Sequence, residues 1–419
     1  MRTFLLLTLV VSLDAETRQL DLKSAASLAE SQHPQVALAR LETLLTKQDE
    51  LRARSAYLPQ INGIAEGTYQ TTNLQGIGLI FPGFPSRVGP FRTFNLRPQA
   101  TQTILDFSLL DSIRATKFST EQRQWNEETA KEGIRLAAVQ LYLQVFEARA
   151  RIAAAEARIK GAGAILEQTK NRESLGGASK LDVARQQERY EAELYAKTLA
   201  ERDERVLLTS LKEALGLPQS DELELKAPVI LPPPSDAPQL RSELKAIDAQ
   251  TRQAELQLRA AQRERLPKLS GFGDFGLFGT GPEQSVSTYQ IGARVTVPIW
   301  TSGRLEADIA KARLAVEQSK TTRRRQNLLI DQEIAAARKD YESTASSIAA
   351  LDRQLAAARE TLELTRLRVE SGLATSTDTT TAQANLSETE ETLIRTRYSQ
   401  QIALARWARA QGDLNAALP

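Results

Sequence analysis

Apolar positions recur along this chain with two different periods. From Ile134 onward, Ile134, Ala138, Leu141, Val145, Ala148, Ile152, Ala155, Ile159, Ala162, Leu166 and Thr169 follow one another in alternating steps of four and three. That is the seam of a coiled-coil helix. The same seam returns 196 residues later at Ile330, Ile334, Ala337, Tyr341, Thr344, Ile348, Leu351, Leu355, Ala358, Leu362 and Thr365. The offset outlasts the seam, since Gly176 meets Gly372, Asp182 meets Asp378 and Gly216 meets Gly412. One offset held through helix stops and an acidic position marks an internal duplication.

In two other stretches the period falls to two. Tyr289, Ile291, Ala293, Val295, Val297 and Ile299 are apolar with polar Gln290, Arg294 and Thr296 between them. Phe94, Leu96, Pro98 and Ala100 alternate in matching parity with Asn95, Arg97, Gln99 and Thr101. Both patterns predict strands with one greasy and one wet face. Their partners, about 61–72 and 269–279, alternate less cleanly. The blocks at about 60–107 and 268–300 therefore read as β-hairpins of roughly ten-residue strands, long enough to cross a bilayer when tilted. Leu58-Pro59-Gln60-Ile61 matches Leu266-Pro267-Lys268-Leu269, and Thr103-Ile104-Leu105-Asp106 matches Pro298-Ile299-Trp300-Thr301. The first copy is the longer, and its extra residues belong in a Gly- and Pro-rich loop from Asn73 to Arg92.

Composition sharpens this picture. All 16 prolines fall outside residues 99–217 and 299–418, and proline breaks helix interiors, so both runs are candidates for very long helices. Twelve of the 22 aromatics lie in 57–107 and 269–300, where the strands are expected. The chain has no cysteine and one histidine, His33, which argues against thiol chemistry, cofactor-bearing clusters and imidazole-based metal or acid–base sites. No enzyme activity, cofactor or metal is expected. A net charge of +2 supplies no field for nucleic acid. Arg2 with the apolar stretch Phe4 to Val11 resembles a secretory signal peptide, assigned to 1–15. No later stretch is apolar enough for a transmembrane helix, although alternating barrel strands escape that criterion.

Three distractors are set aside. Gly271-Phe272-Gly273-Asp274-Phe275-Gly276 fits a dinucleotide-binding spacing but precedes strand-like residues, not a helix. His33 before Pro34 reads as a capping or surface residue, and Arg323-Arg324-Arg325 as a solvated helix face.

The order is helix, hairpin, long helix, turn and return helix, twice over. In this order, with the paired Leu-Pro motifs, the strand exit Pro298-Ile299-Trp300-Thr301-Ser302-Gly303 and the turns at 173–182 and 370–378, the chain resembles the outer membrane efflux protein family, the TolC-like channels. The first copy departs at its strand exit, where Thr103 and Ser108 replace Pro298 and Gly303. The implied organisation is a first repeat at 16–216, a Pro-rich linker at 217–239, a second repeat at 240–414 and a tail at 415–419. The implied fold is mainly α with β-hairpins. Four strands per chain cannot close a barrel, and open edges cannot sit in lipid, so transmembrane strands require oligomerisation. A homotrimer would supply a 12-strand β-barrel and an α-helical tunnel. A helix from about Ser108 to Leu175 would be roughly 100 Å long.

The resemblance further implies a bacterial outer-membrane exit duct with helices in the periplasm. It would serve an inner-membrane transporter through a periplasmic adaptor, the membrane fusion protein. A type I protein secretion duct is the alternative within the fold, and a periplasmic coiled-coil scaffold or adaptor the alternative outside it. Gly176 and Gly372 are expected to stop the long helices, and Ser179 and Thr375 to cap the return helices, together forming adaptor-docking tips. Asp378 occupies the position of a family aspartate at the periplasmic gate. A second aspartate often follows three residues on, where this chain has Thr381; Asp182 is the first-copy equivalent of Asp378.

Overall fold

The computed structural model describes residues 17–78, 82–83, 85–234 and 239–418. The expected signal peptide lies outside them, as do parts of the 73–92 loop and of the Pro-rich linker. The elements are β1 (Thr17–Leu20), α1 (Leu22–Gln32), α2 (Pro34–Ser55), β2 (Gln60–Asn73), β3 (Arg87–Leu105), α3 (Phe107–Ser174), α4 (Lys180–Ala214), β4 (Glu222–Leu225), α5 (Ser242–Arg263), β5 (Lys268–Gly279), β6 (Ser285–Thr296), α6 (Arg304–Glu370) and α7 (Ser376–Ala410). The chain is mainly α with β-hairpins. The Pro-free runs hold α3 with α4 and α6 with α7, and the two return helices are both 35 residues long. The chain divides into two compact units, one of residues up to Arg40 with Asn126–Glu243 and Gln326 onward, the other of Leu41–Trp125 and Leu244–Arg325. Each unit draws on both halves of the sequence.

In the first unit, α3 supplies Ala138, Val139, Tyr142, Leu143 and Val145 to a core shared with Leu22, Ala25 and Ala29 of α1, Leu211 of α4, and Leu404, Ala405 and Ala408 of α7. A parallel strand pair absent from the sequence expectations lies against it. β1 and β4 run side by side from Thr17 opposite Glu222 to Leu20 opposite Leu225. β4 falls within the stretch read as a linker. The Tyr142 hydroxyl lies 3.0 Å from the Leu20 carbonyl and 2.5 Å from the Lys226 carbonyl, one at the end of each strand. Leu20 O also accepts from Lys226 N at 2.9 Å, so the bond that the phenol's single proton adds matters most at the Lys226 carbonyl. Desolvation by burial pushes this phenol up to about 12. His33 ends α1: its N–H donates to Ala29 O at 3.0 Å, and its Nδ1 accepts from Gln35 N at 3.1 Å.

In the second unit, an antiparallel sheet has the order β2-β3-β5-β6, so the two hairpins join through β3 and β5. Its strands have 14, 19, 12 and 12 residues, longer than the expected ten. The first hairpin loop is correspondingly shorter than 73–92. Gly89 and Pro90, expected in the loop, lie inside β3, where the register slips opposite Gln70 and Thr72. A proline, which cannot donate to the ladder, is tolerated at such an irregularity. β6 ends at Thr296, so Val297 and Ile299 follow the strand instead of finishing it, with Pro298 offering no N–H to extend the pairing. The Gly271–Gly276 run is interior to β5.

The register gives the sheet two distinct faces. One rung runs Asn62, Gln99, Asp274 and Gln290 across all four strands, and the next runs Ile61, Ala100, Gly273 and Ile291. Facing pairs share a side, so Phe94, Leu96, Pro98 and Ala100 fall on the same surface as Tyr289, Ile291, Ala293 and Val295. Beyond the strands the helices of this unit pack in the same lateral order. Thr120 of α3 donates to the Thr46 carbonyl of α2 at 3.3 Å. Asp111 of α3 pairs with Arg263 of α5 at 2.9 Å, and Lys245 of α5 lies 4.4 Å from the Trp125 ring centre. Asp248 of α5 pairs with Arg323 of α6 at 2.5 Å, and the hydroxyls of Thr251 and Ser319 meet at 2.7 Å.

Tyr142→Phe keeps the ring and takes the hydroxyl from the Lys226 carbonyl, while Leu20 O keeps its bond from Lys226 N, so the folded chain should lose about 1–3 kcal/mol. Denaturant unfolding checks this, and a loss below about 0.5 kcal/mol would show that the hydroxyl is not what holds the strand pair.

Candidate functional site at the helical tips

Both long helices stop by the same backbone device. After α3, Gly177 N donates to Arg172 O at 2.7 Å and Gly176 N to Glu173 O at 3.0 Å. After α6, Leu373 N donates to Arg368 O at 2.8 Å and Gly372 N to Val369 O at 3.2 Å. These are Schellman closures, and they need a residue in the left-handed region; Gly176 and Gly372 have φ of 76° and 73°. The return helices open with matching capping boxes. Ser179 Oγ accepts from Asp182 N at 3.2 Å while Asp182 Oδ2 accepts from Ser179 N at 3.0 Å. Thr375 Oγ1 accepts from Asp378 N at 3.4 Å while Asp378 Oδ2 accepts from Thr375 N at 2.8 Å. Each box satisfies two donors that a helix start leaves free.

The two aspartates diverge beyond this shared task. Asp182 Oδ1 also accepts from Ser376 Oγ, which ties the start of α4 to the start of α7. That bond, followed by those from Ser179, holds the Asp182 carboxyl down at about 2. Asp378 is fully exposed, and its carboxyl is lowered by the backbone and side-chain bonds from Thr375. Thr381 is exposed one turn on, its hydroxyl donating to Thr377 O at 3.0 Å. Asp378 and Thr381 therefore share an open face of α7, whereas Asp182 is engaged within the chain.

Two sets of residues at the tips escaped the sequence reading. The first is a polar ladder that continues the Asp182 link: Arg185 donates to Thr377 Oγ1, Gln186 to Thr380 Oγ1 at 3.1 Å, Arg189 to Ser387 Oγ at 2.6 Å, and Ser387 to Glu193 Oε1 at 3.1 Å. Its signal was polar residues recurring every three or four positions on both return helices. The second is apolar: Leu175, Leu181 and Leu373 stand 87%, 59% and 71% exposed beside the turns. The glycines and caps expected to dock a partner are occupied in shaping the backbone, and these leucines are the side chains presented.

On the polar sheet face, Arg97 Nη1 reaches Asp274 Oδ1 at 2.8 Å, Arg97 Nε reaches Asn95 Oδ1 at 2.5 Å, and Arg97 Nη2 reaches Thr288 Oγ1 at 3.4 Å. One guanidinium thus spans β3, β5 and β6. Gly276 is what lets it pass, because a Cβ there would stand 2.3 Å from Arg97 Cβ. Among the described residues no helix is long and apolar enough to cross a membrane.

Long helical hairpins with capped tips, joined to a sheet that is polar on one side and bare and apolar on the other, define a class of proteins that combine a β-sheet with long α-hairpins. The chain belongs to the outer membrane efflux protein family, whose model it matches over residues 25–217 and 234–413. It is 24% identical over 284 residues to Nodulation protein T of Rhizobium leguminosarum bv. trifolii, covering 64% of this chain and 59% of that protein. It is 27% identical over 266 residues to the pyoverdine export outer membrane protein OpmQ of Pseudomonas aeruginosa, covering 61% of this chain and 53% of that protein. The matches thus span between half and three fifths of these relatives. Its fold is that of the CmeC outer membrane channel of Campylobacter jejuni, with a TM-score of 0.80 at 18% identity over 94% of this chain and 86% of that one.

The Asp182 carboxyl lies below its ordinary value of 3.8, so it stabilises the tip above that pH and ceases to as pH falls to about 2. Asp182→Asn should lower the melting temperature at neutral pH, with the gap to the parent chain closing between pH 4 and 2. A gap independent of pH would assign the effect to something other than the carboxylate.

Proposed function

We propose that three copies of this chain form an outer-membrane efflux duct, a twelve-strand β-barrel leading to a periplasmic helical tunnel. The observation that carries this reading is the sheet. Its apolar face leaves Ile61 at 72%, Tyr69 at 75%, Phe275 at 61%, Tyr289 at 75%, Ile291 at 82% and Val295 at 64% exposed, while the opposite face is lined with Asn, Gln, Asp and Arg. A soluble antiparallel sheet turns its apolar face inward; this one turns it outward, as a barrel wall in lipid does. Ile299 and Trp300, 94% and 86% exposed just past β6, suit the aromatic belt at the membrane interface. β2 and β6 each end the sheet with a free edge, which three copies close into a ring.

The duct is passive and conducts cargo delivered by an inner-membrane transporter through a periplasmic adaptor. The adaptor meets the tips at Leu175, Leu181 and Leu373, with Gly176, Ser179, Gly372 and Thr375 holding the turns that present them. Asp378, three times repeated about the axis and with Thr381 beside it, forms the cation-attracting gate, and Asp182 fixes α7 in the closed arrangement through Ser376. The relative named for pyoverdine export supports small molecules as cargo.

The protein extracted from outer membranes in detergent should be trimeric and should give steady conductance in planar bilayers; a water-soluble monomer would overturn the reading. In those bilayers Asp378→Ala should reduce cation selectivity at least about twofold, the size expected if three carboxylates around one axis are removed. Unchanged selectivity would remove Asp378 from the gate. Leu175→Ser with Leu373→Ser should abolish export in cells and leave bilayer conductance at the parent level. Export at the parent level would move the adaptor contact elsewhere.

A further inference from the structure

On the polar face of the sheet the charges of the inner strands are paired and those of the edge strands are not. Arg97 of β3 is held by Asp274 of β5 at 2.8 Å, and Lys268, at the start of β5, reaches Asp106 just past β3 at 3.3 Å. Glu66 of β2 and Arg294 of β6 have no ion pair among the described residues. What Arg294 has instead is a ring. Its guanidinium carbon lies 5.4 Å from the centre of the Phe272 ring. Phe272 is an aromatic on the wet side, in the rung Gln60, Thr101, Phe272 and Gly292. Gly292 makes that position possible, because a Cβ there would stand 2.6 Å from Phe272 Cζ. Thr288 and Gln290, the polar-face residues before it on β6, have side chains that would push the ring away at this place. Phe272 is part-buried and Arg294 exposed, so both remain open to the polar side. A ring face engages a guanidinium without taking up its five N–H donors, and the fork stays free for a ligand.

We infer that Phe272 and Arg294 form a binding platform for organic anions on the inner wall of the duct, with aromatic carboxylates as its best occupants. The inference rests on the duct proposed above and names a class of cargo for it. A carboxylate matches the guanidinium fork with two parallel hydrogen bonds, which a point charge cannot offer. An aromatic body adds stacking against the guanidinium plane and contact with the Phe272 ring. Ser270 and Thr103 share the rung of Arg294 and bring two hydroxyl donors to the same level, and the acids Asp274 and Asp106 are each engaged by another cation. The platform is open to water and holds one cation, so an anion that settles there can also leave. That balance is what a conducting path requires, since a site that held its ligand tightly would plug it.

The test uses the full chain in planar bilayers, with sodium benzoate added on the barrel side and sodium acetate as the non-aromatic control. Benzoate should halve the single-channel current at a concentration at least about fivefold below that of acetate. Arg294→Gln should raise the half-blocking benzoate concentration at least about fivefold. Arg294→Lys, which keeps the charge and loses the plane, should retain the acetate response and lose the preference for benzoate, and Phe272→Leu should do the same. A parent channel that benzoate and acetate block alike overturns the platform and leaves the duct standing, as does an Arg294→Gln channel with the parent's benzoate response. In the closed ring β2 of the next copy lies beside β6, which makes Glu66 the acid able to neutralise Arg294. Glu66→Gln should change the benzoate response by less than about twofold, as for charges that do not touch. A block seen only in Glu66→Gln would show Arg294 already occupied and overturn the platform. A chain that gives no conductance overturns the duct itself.

Discussion

A backbone N–H or C=O in hydrocarbon has no water to turn to, and leaving one unpaired costs several kcal/mol. This chain builds a sheet with an apolar outer surface and two unpaired edges, β2 and β6. The rest of its design answers to that conflict. In the proposed ring the sheet is a fragment of a closed object, and its polar rungs, from Asn62 through Gln290, are the inner wall of something the single chain cannot enclose. On that proposal, surface that looks misplaced in one copy, such as Ile291 on the sheet, is surface assigned to lipid.

Much of this was legible in the residues because the duplication wrote each signal twice. The heptad seams gave α3 and α6, and Gly176 with Gly372 gave their ends. The parity of Phe94–Ala100 and Tyr289–Val295 placed both hairpins' apolar positions on what became one face. What escaped was set by long-range pairing. β1 and β4 are four residues each, too short to show a period, and Thr17 meets Glu222 across most of the first copy of the sequence. Gly89-Pro90 looked like loop chemistry, and nothing local announces that Gln70 and Thr72 slip register to accept it.

At the tips the division runs between backbone and surroundings. The stops and caps followed from Gly, Ser, Thr and Asp at fixed offsets, since those interactions reach three or four residues along the chain. The bond from Ser376 to Asp182 depends on how α4 faces α7, and equal sequence positions do not disclose that Asp182 is engaged and Asp378 open. Exposure of Leu175 and Leu373 is likewise a property of the folded turn. In a coiled-coil pattern a leucine beside a glycine reads as one more seam residue.

The pairing of β3 with β5 has a kinetic meaning. It joins strands from different copies of the repeat, as β6 and β2 of successive chains are proposed to join, and the Arg97–Asp274 pair lies along it. Within one polypeptide that pairing is a first-order event, because the connection through α3, α4, β4 and α5 keeps the partners at high effective concentration regardless of how dilute the protein is. Only the joint between chains depends on encounter. In the proposed ring, writing the unit twice in one gene halves the number of molecules that must collide, and concentrates all the concentration dependence of assembly in a single kind of contact.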